Sequence, residues 1–254
     1  MTIGVFDSGL GGLTAVKSLL SLTNCDIVYL GDTLRVPYGD KERSELLMCA
    51  ESDINFLLSK GVDCVLIACG SVSSSVDKEF LSKFSVPVFE VLTPAVEKAI
   101  KTSQNKKIGI IATAASIRAG AFERLLKESD QNIEVFPVAC PKLVPLIEGG
   151  KFKENDDEIK NALKEYLSPL KENKIDTLIL GCTHYPLLKN PILNFLGDVN
   201  LIDIGCEAAK KIEISDKIGD RTLSFYVSGD AEVFKTNAEH FLNFKVEKVE
   251  KAVL

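Results

Sequence analysis

Val62-Asp63-Cys64-Val65-Leu66-Ile67-Ala68-Cys69 recurs in outline as Ile175-Asp176-Thr177-Leu178-Ile179-Leu180-Gly181-Cys182. Both stretches open with a β-branched residue and an aspartate, continue through an apolar run and end on a cysteine. A short apolar run of this kind reads as a strand buried on both faces. An earlier echo pairs Ile3-Gly4-Val5-Phe6-Asp7-Ser8 with Ile108-Gly109-Ile110-Ile111-Ala112-Thr113. Two echoes in the same order point to two similar α/β units in a pseudo-twofold arrangement. Each unit offers one cysteine and one hydroxyl at a strand end.

Outward from these stretches, apolar runs predict strands at 3–6, 25–30, 62–68, 86–91, 107–112, 133–138, 176–180, 199–204 and 222–227. Helical periodicity predicts helices at 13–22, 42–60, 73–84, 93–101, 119–128, 157–170, 188–196, 208–213 and 231–241. Buried strands alternating with helices form mostly parallel sheets covered by helices. The expected fold is therefore α/β, with two pseudo-symmetric domains. Ligands of such sheets sit beyond the carboxyl ends of the strands. Thr93-Pro94 and Gly205 are the expected crossings, since Pro and Gly mark breaks. They divide the chain into a first domain of residues 1–92 plus 205–254, on the Cys69 side, and a second of residues 93–204, on the Cys182 side.

The 254 residues are 46% hydrophobic, enough apolar material for one large core or two smaller ones. A formal charge of −6 disfavours nucleic acid or an anionic membrane as partner. It leaves room for a small anionic substrate, because a local pocket can be positive on an acidic protein. Met1-Thr2-Ile3-Gly4-Val5-Phe6-Asp7 carries no basic leader before an apolar run, and no apolar stretch approaches the roughly 20 residues of a membrane span. The expected location is cytoplasmic. Seven cysteines, an odd count without a C-x-x-C pair, argue against a disulfide framework or a zinc site. Cys25, Cys49, Cys64, Cys140 and Cys206 are expected to be small core hydrophobes.

Cys69 and Cys182 read differently. Each follows a buried strand and precedes a helix, a place expected to be exposed at the sheet edge. There, unpaired N–H groups and the helix dipole favour a thiolate over the usual thiol, whose pKa is about 8.5. Inverting a stereocentre by proton transfer requires one base on each face of the carbon, and two groups of matched pKa do this best. His184, in Gly181-Cys182-Thr183-His184-Tyr185-Pro186, is placed to lower the pKa of the second thiol or relay its proton. His240, the other histidine, falls in an amphipathic helix and reads as a surface or core residue. Asp7-Ser8-Gly9-Leu10-Gly11-Gly12 is not a dinucleotide fingerprint, because Thr14 stands where the last glycine of G-x-G-x-x-G belongs. A carboxylate at that strand end suits a substrate ammonium or a proton relay. A C-x5-R phosphatase loop and a P-loop are both missing from the sequence.

Together these residues resemble the glutamate racemases of bacterial cell-wall synthesis over essentially the full chain. The resemblance is carried by Gly4 to Leu13, Gly31-Asp32-Thr33, Val36-Pro37-Tyr38-Gly39, Ala68-Cys69 and Gly181 to Leu188. It implies an active site in the cleft between two α/β domains, no cofactor and no metal. It implies Cys69 and Cys182 as the two bases, Asp7 as the acid assisting the first, and His184 as assistant to the second. Glu148 would be a further acidic residue near the site. Asp7, Ser8, Pro37, Tyr38, Gly39, Gly70, Ser71, Thr113, Ser116, Thr183 and His184 would line the substrate pocket. The implied role is to supply D-glutamate for peptidoglycan, and a homodimer is expected by analogy.

One departure stands out. The family usually reads Cys-Asn-Thr where this chain has Cys69-Gly70-Ser71. Ser71 keeps a hydroxyl, whereas Gly70 supplies no amide. Either a neighbour such as Ser73 compensates, or affinity or specificity differs. A racemase for aspartate or another acidic amino acid is therefore a second reading. A third is a catalytically inactive descendant that binds an amino acid or a protein. Retention of both cysteines, Asp7 and His184 counts against the third.

Overall fold

The computed structural model describes residues 1–212, 220–242 and 244–254, apart from the side chain of His240. Its strands are β1 Thr2–Asp7, β2 Asp26–Gly31, β3 Cys64–Ile67, β4 Val88–Glu90, β5 Lys107–Ala112, β6 Glu134–Ala139, β7 Thr177–Leu180, β8 Asn200–Asp203, β9 Leu223–Val227 and β10 Val249–Lys251. They form a six-stranded sheet, β10-β9-β2-β1-β3-β4, and a four-stranded sheet, β6-β5-β7-β8. All the pairings are parallel.

The order β2-β1-β3-β4 recurs as β6-β5-β7-β8. The two sequence echoes fall on the matching strands, β1 with β5 and β3 with β7. One apolar core spans both units, joining Ile3, Val5 and Tyr29 to Ile108, Ile110 and Ile179. Two further clusters cover the remaining faces, one around Phe6, Ile54 and Ile67, the other around Ile111, Leu163 and Leu180. Each side chain of this size contributes about 1.5–3 kcal/mol when fully buried.

Several expectations shift. The 73–84 stretch is not one helix but two short ones, Gly70–Ser73 and Lys78–Leu81. The Ser74 and Ser75 hydroxyls donate back to the Gly70 and Ser71 carbonyls, which competes with helix continuation. Asp77 then caps a new start by accepting from the Phe80 N–H. An unpredicted helix, Ala114–Ala119, ends at Gly120, whose φ of +62° is the left-handed turn that suits glycine. The edge strand β10 is also unpredicted, since its exposed Glu250 and Lys251 show no apolar run.

Both expected crossings fall within helices. Thr93-Pro94 lie in the first turn of the Leu92–Thr102 helix, where proline is tolerated, and Gly205 lies inside the Ile204–Ala209 helix. These two helices pack on each other between the sheets. The predicted 208–213 helix corresponds to the latter, and residue 213 lies outside the described residues. Among the described residues, no helix is long and apolar enough to cross a membrane.

Candidate active site

The carboxyl ends of β1, β3, β5 and β7 face one another across a cavity of about 290 Å³. Its lining contains Asp7, Ser8, Pro37, Tyr38, Gly39, Cys69, Gly70, Ser71, Thr113, Glu148, Cys182, Thr183 and His184. Ser116 is not on the wall. It is buried behind Thr113, whose hydroxyl donates to it at 3.0 Å.

Asp7 ends β1 with its carboxylate buried. One oxygen accepts from the Gly9 N–H at 2.9 Å and the other from the Thr183 hydroxyl at 3.1 Å. Thr183 comes from the other unit, and its carbonyl accepts from the Thr14 hydroxyl at 3.0 Å. Burial raises the pKa of Asp7, opposed by the nearby His184 and by the Gly9, Gly12 and Thr183 donors. The Tyr29 hydroxyl donates to the Gly9 carbonyl at 2.7 Å and steadies this loop from below.

Cys69 and Cys182 are 4% and 5% exposed, so the expected open sheet edge is instead covered by the opposite unit. The expected drop in pKa is also reversed at Cys69. Burial, with the negative Asp7 beside it, pushes this thiol up to about 12, although the Ser71 and Val72 N–H groups pull the other way. Its sulfur lies 3.9 Å from the Ser8 hydroxyl.

Cys182 has a different partner. Its sulfur lies 3.6 Å from His184 Nδ1, and His184 Nε2 lies 3.0 Å from Glu148 Oε1. Burial works against a charged imidazole, but the Cys182 and Glu148 contacts outweigh it and push His184 up to about 10. The imidazole is therefore protonated at neutral pH. Beyond Cys182 the chain passes through a 3-10 turn, Tyr185–Leu188, into the expected helix, Lys189–Leu196.

Hydroxyls bridge the cleft. Ser71 and Thr113, from different units, are 2.9 Å apart. Tyr38 is fixed by a buried cluster in which its hydroxyl bonds to Asp32 and, at 3.2 Å, to Asp53. Arg35 pairs with the same two carboxylates at 2.5 and 2.6 Å. Burial and the adjacent Asp32 hold Asp53 well above the ordinary carboxylate range. Ser73 cannot stand in for an amide at position 70. Its hydroxyl donates to the Ile67 carbonyl at 3.2 Å and accepts from the Val91 N–H at 3.4 Å, away from the cavity.

Sequence reasoning missed Val36, Asp40, Ala114, Cys140, Pro141, Val144 and Pro145 on the lining. The signal for the last four was the position of the 140–148 segment, just beyond the carboxyl end of β6. Cys25, Cys49, Cys64 and Cys140 are buried as expected, while Cys206 is only half-buried, and the seven cysteines are not joined in disulfides. Among the described residues, no cluster of three His, Cys, Asp or Glu side chains is placed to hold a metal ion.

The chain is similar in sequence and fold to known racemases. The family model described as Asp/Glu/Hydantoin racemase matches residues 37–212. A glutamate racemase of Desulforudis audaxviator is 38% identical, with 100% of this chain and 98% of that protein covered. The crystal structure of the glutamate racemase isoform RacE1 from Bacillus anthracis superposes with a TM-score of 0.92 at 32% identity, covering 100% of this chain and 97% of that one. The Francisella tularensis glutamate racemase, solved in complex with D-glutamate, gives 0.89 at 33% identity with the same coverage. With two strand-end thiols opening into one interdomain cavity and full-length similarity of this order, the chain belongs to the Asp/Glu/hydantoin racemase family and, within it, to the glutamate racemases.

Proposed function

We propose that this racemase interconverts L- and D-glutamate by moving the α-proton between Cys69 and Cys182, and that it supplies D-glutamate for peptidoglycan from the cytoplasm. The observation that carries this reading is the opening of both sulfurs into a single cavity from the ends of equivalent strands. One sulfur, as thiolate, takes the α-proton. The electron pair left on carbon delocalises into the neighbouring carboxyl group, and the thiol on the opposite face returns a proton to that carbon. The roles swap in the reverse direction.

The surroundings support such a division of labour. Cys69, held up to about 12, rests as a thiol with a proton to give. The protonated His184 puts positive charge 3.6 Å from the Cys182 sulfur. Among the described residues, no lysine or arginine lines the cavity. The substrate carboxylates are therefore held by the Ser8, Ser71, Thr113 and Thr183 hydroxyls and by backbone N–H groups at the strand ends, and Asp7 meets the ammonium. A closed cleft shields the carbanion-like intermediate from water.

The test is incubation with L-glutamate in D2O, with and without added pyridoxal phosphate. Optical rotation decays to zero, deuterium enters at the α-carbon, and the cofactor changes neither. Racemisation of aspartate in preference to glutamate would overturn the substrate assignment.

A further inference from the structure

The Cys69-Gly70 step and the Gly181-Cys182 step meet across the cleft. A Cβ on Gly70 would press into the Gly181 carbonyl oxygen, well inside van der Waals contact, and would lie 3.4 Å from both the Gly181 carbonyl carbon and Ile204 Cδ1. The obstacle is backbone, which cannot rotate aside as a side chain can. Neither partner is free to retreat. Gly181 donates its N–H to the Ile111 carbonyl at 2.8 Å. A Cβ on Gly181 would itself sit 2.9 Å from Ala112 Cβ and from the Ile111 oxygen, so this residue is wedged against β5. The Gly70 carbonyl accepts from both the Ser74 N–H, at 2.9 Å, and the Ser74 hydroxyl, at 2.8 Å.

Each of these pinned glycines adjoins one of the two thiols. We infer that the Gly70–Gly181 backbone contact is the gauge that sets the separation of the Cys69 and Cys182 sulfurs, with Gly70 a positioning residue for proton transfer. The missing side chain at position 70 is then a requirement of this chain's cleft, not an amide that was lost. Ser73, tied to Ile67 and Val91, offers no replacement amide, in keeping with this view. Any side chain at position 70 parts the two segments, and a misplacement of about 1 Å costs roughly 10²-fold in rate. The inference rests on the two-thiol reading above.

The test compares Gly70→Ala and Gly70→Asn with the parent in both directions of racemisation. In parallel, bifunctional thiol reagents of graded span are applied without substrate, and Cys69–Cys182 bridged peptides are measured by mass spectrometry. Both variants are expected to keep a cooperative melt and to lose about 10- to 100-fold in kcat, with KM within roughly threefold. The reagent span of highest yield lengthens. A rise in kcat/KM in Gly70→Asn would restore the lost-amide explanation and overturn the gauge. So would a Gly70→Ala rate within twofold of the parent, an unchanged reagent span, or loss of the cooperative melt, which would make Gly70 a folding residue. If the parent turns over no glutamate, the reagent series still decides the gauge separately from the substrate.

Discussion

The two thiols stand at the ends of equivalent strands, yet their surroundings are unlike. Beyond β3, Cys69 leads straight into a helix and lies beside the negative Asp7. Beyond β7, Cys182 is followed by Thr183 and His184, and the imidazole reaches on to Glu148. Aligned on the echoes, Asp7 corresponds to Ala112, Gly70 to Thr183 and Ser71 to His184. The duplicated backbone delivers two sulfurs to symmetric places. The residues that are not duplicated give each sulfur a different neighbour, Asp7 beside Cys69 and His184 beside Cys182. Asp7 also joins the halves, since its carboxylate accepts from Thr183 across the cleft.

The comparison breaks most severely if either sulfur is dispensable. Cys69→Ala and Cys182→Ala are each expected to lower racemisation by at least about 10³-fold, followed by polarimetry from both enantiomers. Turnover within tenfold of the parent in either variant would leave no two-thiol mechanism.

His184→Asn sharpens it next, with an expected loss of about 10²-fold in kcat/KM. The equilibrium constant between enantiomers is one, so kcat/KM must fall equally in both directions. The asymmetry appears in how kcat and KM share that loss, with kcat falling further in the direction that uses Cys182 as base. An identical split in both directions would remove the difference between the half-sites. Glu148→Gln should cost less than about tenfold, because the Glu148 side chain is 38% exposed and water screens its pairing with His184. An NMR titration of the imidazole should show its pKa moving down in this variant.

The last prediction involves no change in the chemical step. The folded pKa of His184, about 10, exceeds the unfolded value near 6.5. Between those values the folded chain binds more protons than the unfolded one, so its contribution to stability is complete below about pH 6.5 and is lost as pH rises through 10. The Cys69 thiol, at about 12 against an unfolded value near 8.5, has the same sign at higher pH. Chemical denaturation from pH 6.5 to 10 should show stability falling, with a flatter profile in His184→Asn. An equal slope in the variant would contradict the assigned proton on the imidazole.

Much of this molecule is legible in its amino-acid order. Helices 13–22 and 157–170, and the strands carrying the echoes, announce themselves through apolar period and run length, which depend only on neighbours in the chain. Asp7, Cys69, Cys182 and His184 can be singled out because a strand end in an α/β sheet is where ligands bind. The Ala114–Ala119 helix is harder to see, because its cap, Thr113, reads first as a pocket hydroxyl. The Leu143–Glu148 helix is too short for its period to show.

The amino-acid sequence by itself determined the α/β class, the duplicated order of strands and the placement of one cysteine at the end of each equivalent strand. All three arise from short-range patterns of apolar and polar residues. Only the tertiary structure decided that both sulfurs are buried, that Asp7 reaches Thr183, that Glu148 reaches His184, that Ser116 stands behind Thr113, and that Gly70 meets the Gly181 carbonyl. Those contacts join residues far apart in the chain, and they exist because two sheets close over one cavity, where burial and neighbouring charge set each proton.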